Sequence, residues 1–187
     1  GPPGWLRVFN EQLGGQVSWL LPLASVGLVA GLVMTCRAPR TDRRRAGYVL
    51  WGLWVVAMIA VFDSAGGTLH SYYTVVLAPG VAALAGAGVA DLGRLGRRDT
   101  RWAWVLPAAL AATGAWAAVL LAREEAYGLA LPLVAAAVTV AGAGLLLVAL
   151  LRPAAKRMAR PMVWVGAFLA LVGAIAGLLV IADGVSF

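Results

Sequence analysis

At 187 residues, 62% hydrophobic and 12% charged, with a mean hydropathy of +0.88, the chain lies far outside the composition of a soluble globular domain. A net charge of +7 and a sequence pI near 10.8 invite a nucleic-acid reading. The basic residues, however, fall in short loops flanking apolar runs, with no aromatic or Gly-rich module between them to read a base, so nucleic acid is set aside as a partner.

The first sixteen residues differ from the rest. Trp5, Phe9 and Leu13 recur at helical spacing with Leu6 beside them, while Arg7, Asn10 and Glu11 point elsewhere. This pattern predicts an extracytoplasmic interfacial segment over 1–16, ended by Gly14-Gly15; a simple lead-in to the first span is the alternative. The chain opens on Gly with no basic n-region or cleavage pattern, which predicts a fragment or processed product.

From 17 to 187 the pattern predicts a six-helix transmembrane region. Charge-free intervals run Gln12 to Cys36, Ala46 to Phe62, Ser64 to Ala90, Trp102 to Ala122, Ala126 to Leu151 and Pro161 to Ala182. Each approaches or exceeds the roughly 20 residues a helix needs to cross about 30 Å of hydrocarbon. The intervals are apolar on every face and lack period-2 alternation, which excludes a β-barrel. The expected fold class is an all-α, polytopic integral membrane helix bundle with six transmembrane helices.

Orientation follows from the arginines. Thirteen of the fifteen Lys and Arg lie in three loops: Arg37, Arg40, Arg43, Arg44, Arg45; then Arg94, Arg97, Arg98, Arg101; then Arg152, Lys156, Arg157, Arg160. Arg7 and Arg123 lie in the other set of connections, beside Glu11 and Glu124-Glu125. The positive-inside rule puts the three basic loops in the cytoplasm and both termini outside. Trp102, Trp104 and Trp164 fall at inner ends, with Trp19 and Tyr127 toward the outer one, as interface anchors.

Several patterns carry no chemistry. Gly27-Leu-Val-Ala-Gly31 and Gly173-Ala-Ile-Ala-Gly177 allow close helix approach and indicate a packed bundle. Gly86-Ala-Gly88 and Gly142-Ala-Gly144 follow no strand and are not dinucleotide fingerprints. Pro22, Pro79, Pro107 and Pro132 lie within or near span ends, where a kink is tolerated. Cys36 is the lone cysteine, so no intramolecular disulfide forms, and one His and one Cys far apart make no metal cluster. No metal or cofactor is expected.

What remains is the polar break Asp63-Ser-Ala-Gly-Gly-Thr-Leu-His-Ser-Tyr-Tyr-Thr74 between two apolar runs, which holds the only histidine, His70. A carboxylate at mid-bilayer costs roughly 2.5 to 3.5 kcal/mol on translocon scales, so Asp63 belongs at the outer surface or in a wet cavity. Two readings stay open. Asp63 and Ser64 cap a turn at Gly66-Gly67, with His70, Tyr72 and Tyr73 as interfacial anchors; or the cluster hydrogen-bonds an anionic headgroup or phosphate, His70 adding positive charge when protonated.

The stretch from His70-Ser-Tyr-Tyr-Thr to Pro79 and on to Gly88, together with Trp5 through Pro22, resembles the later part of bacterial mannosyltransferases of the protein O-mannosyltransferase and aminoarabinose-transferase type. The loop Arg37-Ala-Pro-Arg-Thr-Asp-Arg-Arg-Arg45 looks like actinobacterial members of that group. The resemblance covers the first half of the chain; the last three spans match only as apolar helices.

That resemblance implies a GT-C fold in the plasma membrane, moving a sugar from a polyprenyl-phosphate carrier to an acceptor at the outer face. His70, Tyr72 and Tyr73 would then contact the carrier phosphate or sugar, with Asp63 nearby and Arg7 as counter-charge or, alternatively, a plain surface arginine. The family's catalytic carboxylate lies in the first outer loop, which has no counterpart here; Asp63 does not occupy that motif, and no catalytic residue is assigned. On this reading the chain packs against a missing N-terminal half, among membrane lipid, and is inactive alone. The competing class is a non-enzymatic membrane subunit or transporter-like bundle.

Overall fold

A computed structural model describes residues 9, 14–65, 71–123, 128–151, 165–166, 168–169 and 172, with backbone alone at 16, 17, 71 and 72. Among the described residues every regular element is helical: α1 (Gly14–Val17), α2 (Leu21–Thr35), α3 (Arg43–Ser64), a 3-10 segment Ser71–Leu77, α4 (Ala78–Arg98), a 3-10 turn Thr100–Trp102, α5 (Val105–Ala122) and α6 (Ala130–Leu151). Four stretches are long and apolar enough to cross a membrane: Arg43–Ser64, Tyr73–Arg98, Thr100–Ala122 and Ala130–Leu151. The chain is thus an all-helical, multi-pass membrane protein, and these stretches correspond to four of the expected spans. The sixth interval, Pro161 to Ala182, falls almost wholly outside the described residues, as do Gly173 and Gly177, the third basic loop, Trp164, Glu124, Glu125 and Tyr127.

The first apolar interval folds differently from expectation. Gly14-Gly15 is itself helical, within α1, and among the described residues the interruption comes at Ser18–Leu20. The Ser18 hydroxyl donates to the Gly14 carbonyl at 2.7 Å and the Trp19 indole N–H donates to the Gly15 carbonyl at 2.5 Å, so side chains take over carbonyls at the end of α1. Trp19, expected at the outer interface, is only 1% exposed and belongs to the core. The next helix, α2, has 15 residues. At 1.5 Å per residue that is about 22 Å, short of a full crossing.

Helix starts follow local chemistry. The Asp42 carboxylate caps α3 by accepting from the Arg45 backbone N–H at 2.8 Å. Pro22, Pro79, Pro107 and Pro132 all fall in the first turn of their helices, where the missing N–H has no intrahelical acceptor to lose. They begin helices rather than kink them. Buried hydroxyls turn inward on their own helix: Thr35 donates to Gly31, Thr113 to Ala109 and Thr139 to Ala135, each one turn back.

The chain divides into two compact units, Gly1–Asp91 and Leu92–Phe187, with the boundary inside α4. In the first unit Trp19, Leu23, Leu77 and Leu84 form the buried centre. Glycines set the closest approaches: a Cβ on Gly27 of α2 would stand 2.6 Å from the Leu84 carbonyl oxygen of α4, and one on Gly88 would stand 2.7 Å from the Gly27 Cα. Gly31, four residues on, instead faces the ring of Tyr48 on α3. The paired-glycine pattern therefore serves two different neighbours. In the second unit α5 packs on α6, with Gly114 against Thr139, around Leu106, Leu110, Leu121 and Leu146. Outward faces carry Leu50, Leu53, Val56, Leu133 and Val140, side chains suited to hydrocarbon as solvent.

Candidate functional site

The polar break lies at one end of the first unit. There α3 stops at Ser64, and the chain re-enters as the 3-10 segment Ser71–Leu77, which packs against α1 and α3. The Trp54 indole N–H donates to the Val76 carbonyl at 2.8 Å and fixes the register of these two elements. Gly80 extends that contact, since a Cβ there would meet the Val55 side chain at 2.8 Å.

Distances along the two elements can be counted from the Trp54–Val76 bond. Asp63 lies nine residues further along α3, about 13 Å at helical rise. Ser71 lies five residues back from Val76, about 10 Å at the steeper 3-10 rise. Asp63 and the start of the 3-10 segment therefore both lie on the same side of that bond, toward the end where α3 stops. Tyr73 belongs to that segment and is 47% exposed, while its neighbour Thr74 is buried. His70, Arg7 and the Gly66-Gly67 turn lie outside the described residues, and Tyr72 is described by its backbone alone.

Asp63 has an unusual setting. Its Oδ1 atom is buried and has no hydrogen-bond partner. Ser64, by contrast, turns its hydroxyl back to the Val61 carbonyl at 3.1 Å. Asp63 stands in the last turn of α3, where backbone carbonyls, not N–H groups, are left over, and where the helix dipole disfavours an anion. Among the described residues none donates to this oxygen.

A second polar cluster was not anticipated from the sequence. Asp91 on α4 is 5% exposed, and its Oδ2 accepts from the Arg44 guanidinium at 2.5 Å and from the Tyr48 hydroxyl at 2.8 Å. These contacts tie the start of α3 to the far end of α4, at the arginine-rich side. The signal for it was an acid standing alone inside an apolar helix, which demands a partner, and arginines at the start of the helix before it. Among the described residues no group of three or more His, Cys, Asp or Glu is placed to hold a metal ion.

Fold and site together define a multi-pass membrane protein with a polar cluster at one end of its helices. Among proteins of known sequence, the chain is similar to Putative mannosyltransferase YkcB of Bacillus subtilis (strain 168), 45% identical over 119 residues, which is 60% of this chain and 16% of that protein. It is also similar to Putative mannosyltransferase YycA of the same organism, 37% identical over 123 residues, 65% of this chain and 18% of that protein. The expected resemblance to bacterial mannosyltransferases is borne out, and the chain spans less than a fifth of the length of these relatives. No family model matches the chain. No solved structure matches it either.

Proposed function

We propose that this chain is the membrane portion of a glycosyltransferase that moves a sugar from a polyprenyl-phosphate carrier to an acceptor at the outer face of the plasma membrane. The observation that carries this reading is the 45% identity over 119 residues to a protein named as a mannosyltransferase. The apolar helices supply the medium in which a polyprenyl chain dissolves. In the full reading the chain crosses the membrane six times, with both termini outside and residues 1–16 lying in the outer interface.

Chemically, transfer breaks the bond between the anomeric carbon and a phosphate oxygen, and negative charge builds on the departing phosphate. Phenol O–H groups of Tyr72 and Tyr73 and the imidazole of His70 donate hydrogen bonds to that charge, and Arg7 adds a counter-charge. These residues hold the carrier, and no residue of this chain is assigned to act on the acceptor.

The test is made in the complete membrane protein. His70→Ala and Tyr73→Phe are expected to raise the KM for the lipid-linked donor about tenfold each, the worth of one hydrogen bond to a charged group, while membrane insertion stays as in wild type. Unchanged donor kinetics in both variants removes the phosphate contact. Absence of any transfer by the complete wild-type protein, with no affinity for polyprenyl phosphate, returns the chain to the class of non-enzymatic bundles.

A further inference from the structure

We infer that the turn between α4 and α5 binds an anionic phospholipid of the leaflet on the arginine-rich side, its arginines holding the headgroup phosphate and its tryptophans the glycerol and upper acyl region. This stands apart from the transferase reading and requires only that the chain spans a membrane.

Two stretches long and apolar enough to cross a membrane, Tyr73–Arg98 and Thr100–Ala122, meet here with Asp99 alone between them. A junction that short leaves the turn at headgroup level. Residues 94–104 supply four arginines, one acid and two tryptophans. Arg94, Arg97 and Arg98 recur at i, i+3 and i+4 on one face of α4, and all three are exposed, while Leu92, Gly93 and Gly96 are buried. Arg101, also exposed, follows in the 3-10 turn.

The returning chain lies close against α4: a Cβ on Gly96 would stand 3.0 Å from the Ala103 Cα. Ala103 is 1% exposed, yet its neighbours Trp102 and Trp104 are 49% and 58% exposed. The single acid is engaged by its own turn, the Asp99 Oδ1 accepting from the Arg101 backbone N–H at 3.0 Å. Among the described residues no ion pair engages Arg97, Arg98 or Arg101.

Cations and exposed indoles in one short turn call for a ligand that is anionic at one end and apolar at the other. A soluble phosphate satisfies only the arginines, and a zwitterionic lipid brings a cation of its own against them. An anionic phospholipid meets both demands, since guanidinium forks match phosphate oxygens and indoles favour the level just below them. The arginine loop before α3 lacks this pairing. There Arg44 is held by Asp91 and Arg45 donates to the Ala38 carbonyl at 2.8 Å, and Trp51 lies eight residues beyond Arg43 along α3, about 12 Å at helical rise.

The experiment titrates the complete membrane protein, in a neutral detergent, with phosphatidylglycerol and with phosphatidylcholine, and counts bound lipid by native mass spectrometry. Wild type is expected to bind phosphatidylglycerol at least about tenfold more tightly, and glycerol 3-phosphate at millimolar concentration should not displace it. Arg97→Gln, Arg98→Gln and Arg101→Gln together should weaken phosphatidylglycerol by about fivefold per arginine, on the order of a hundredfold in all. The charge-matched set Arg37→Gln, Arg40→Gln and Arg43→Gln should change it by less than about threefold. Trp102→Ser with Trp104→Ser, which leaves every charge in place, should also weaken it. Equal weakening by the two arginine sets overturns the inference, because it reports diffuse attraction to a basic protein and not a site. Equal affinity of wild type for the two lipids overturns it without recourse to any variant, and displacement by glycerol 3-phosphate overturns it in favour of a soluble anion.

Discussion

Asp91 shows how this fold keeps a charge within an apolar helix. The carboxylate is 4% exposed, the Arg44 side chain that pairs with it is 57% exposed, and the Tyr48 hydroxyl shares the same oxygen. Such a pair is asymmetric. Removing Asp91 releases an arginine that already reaches water, whereas removing Arg44 takes a charge-assisted partner from a buried carboxylate. Arg44→Ala is therefore expected to cost about 1–3 kcal/mol, measured by denaturant unfolding in detergent. Asp91→Asn in the same chain should recover at least half of that loss, because it removes the charge that Arg44 neutralises. If the double variant is less stable than Arg44→Ala, the carboxylate was not the source of the cost. The exposed arginine in this pair keeps the expected value well under that of a fully buried bridge.

At the scale of elements, helix contacts are set by where a side chain is missing. The α2–α4 crossing brings Gly27 and Gly88 so close that a Cβ on either meets backbone, which cannot give way as a flexible side chain would. Gly27→Ala and Gly88→Ala should each destabilise by about 1–3 kcal/mol through overpacking. Gly86, two residues from Gly88, has open space where its Cβ would stand, with nothing within 4 Å, so Gly86→Ala should be neutral or stabilise by about 0.5–1 kcal/mol through helix propensity. Thermal aggregation midpoints in one detergent would rank the three, and equal midpoints would contradict the crossing. The long helices are visible in the sequence because charge is costly in hydrocarbon: α5 ends at Ala122, where its charge-free interval ends. The break at Ser18–Leu20 is hidden, since no charge marks it and a serine and a tryptophan bonding back to α1 are not a periodic signal. The prolines read as kinks for a related reason, because position within a helix turn depends on a boundary that composition places only coarsely.

For the whole molecule, the same use of charges explains what was legible of the site. Asp63 and Tyr73 stand out as polar residues among apolar ones; Asp91, alone in an apolar stretch, calls for a partner, but spacing does not say that Arg44 and Tyr48 are the groups that meet it. The burial of the Asp63 Oδ1 atom depends on atomic surroundings that no spacing encodes. The sidedness of the chain, by contrast, rests on its arginines and can be tested with single cysteines. Cys36, exposed just after α2, lies on the arginine-rich side and is the chain's single cysteine. With that side in the cytoplasm, an impermeant maleimide added to intact cells should leave Cys36 unmodified and label it after permeabilisation. Leu129 comes three spans later in the chain, just before α6, and is 76% exposed. In a Cys36→Ser background, Leu129→Cys should react in intact cells without permeabilisation. The two positions are separated by an odd number of crossings whether or not α2 spans, because α3, α4 and α5 lie between them. Labelling of both from the same side would therefore overturn the crossing count as well as the orientation, and with it the placement of Asp63 and the tyrosines at the outer face.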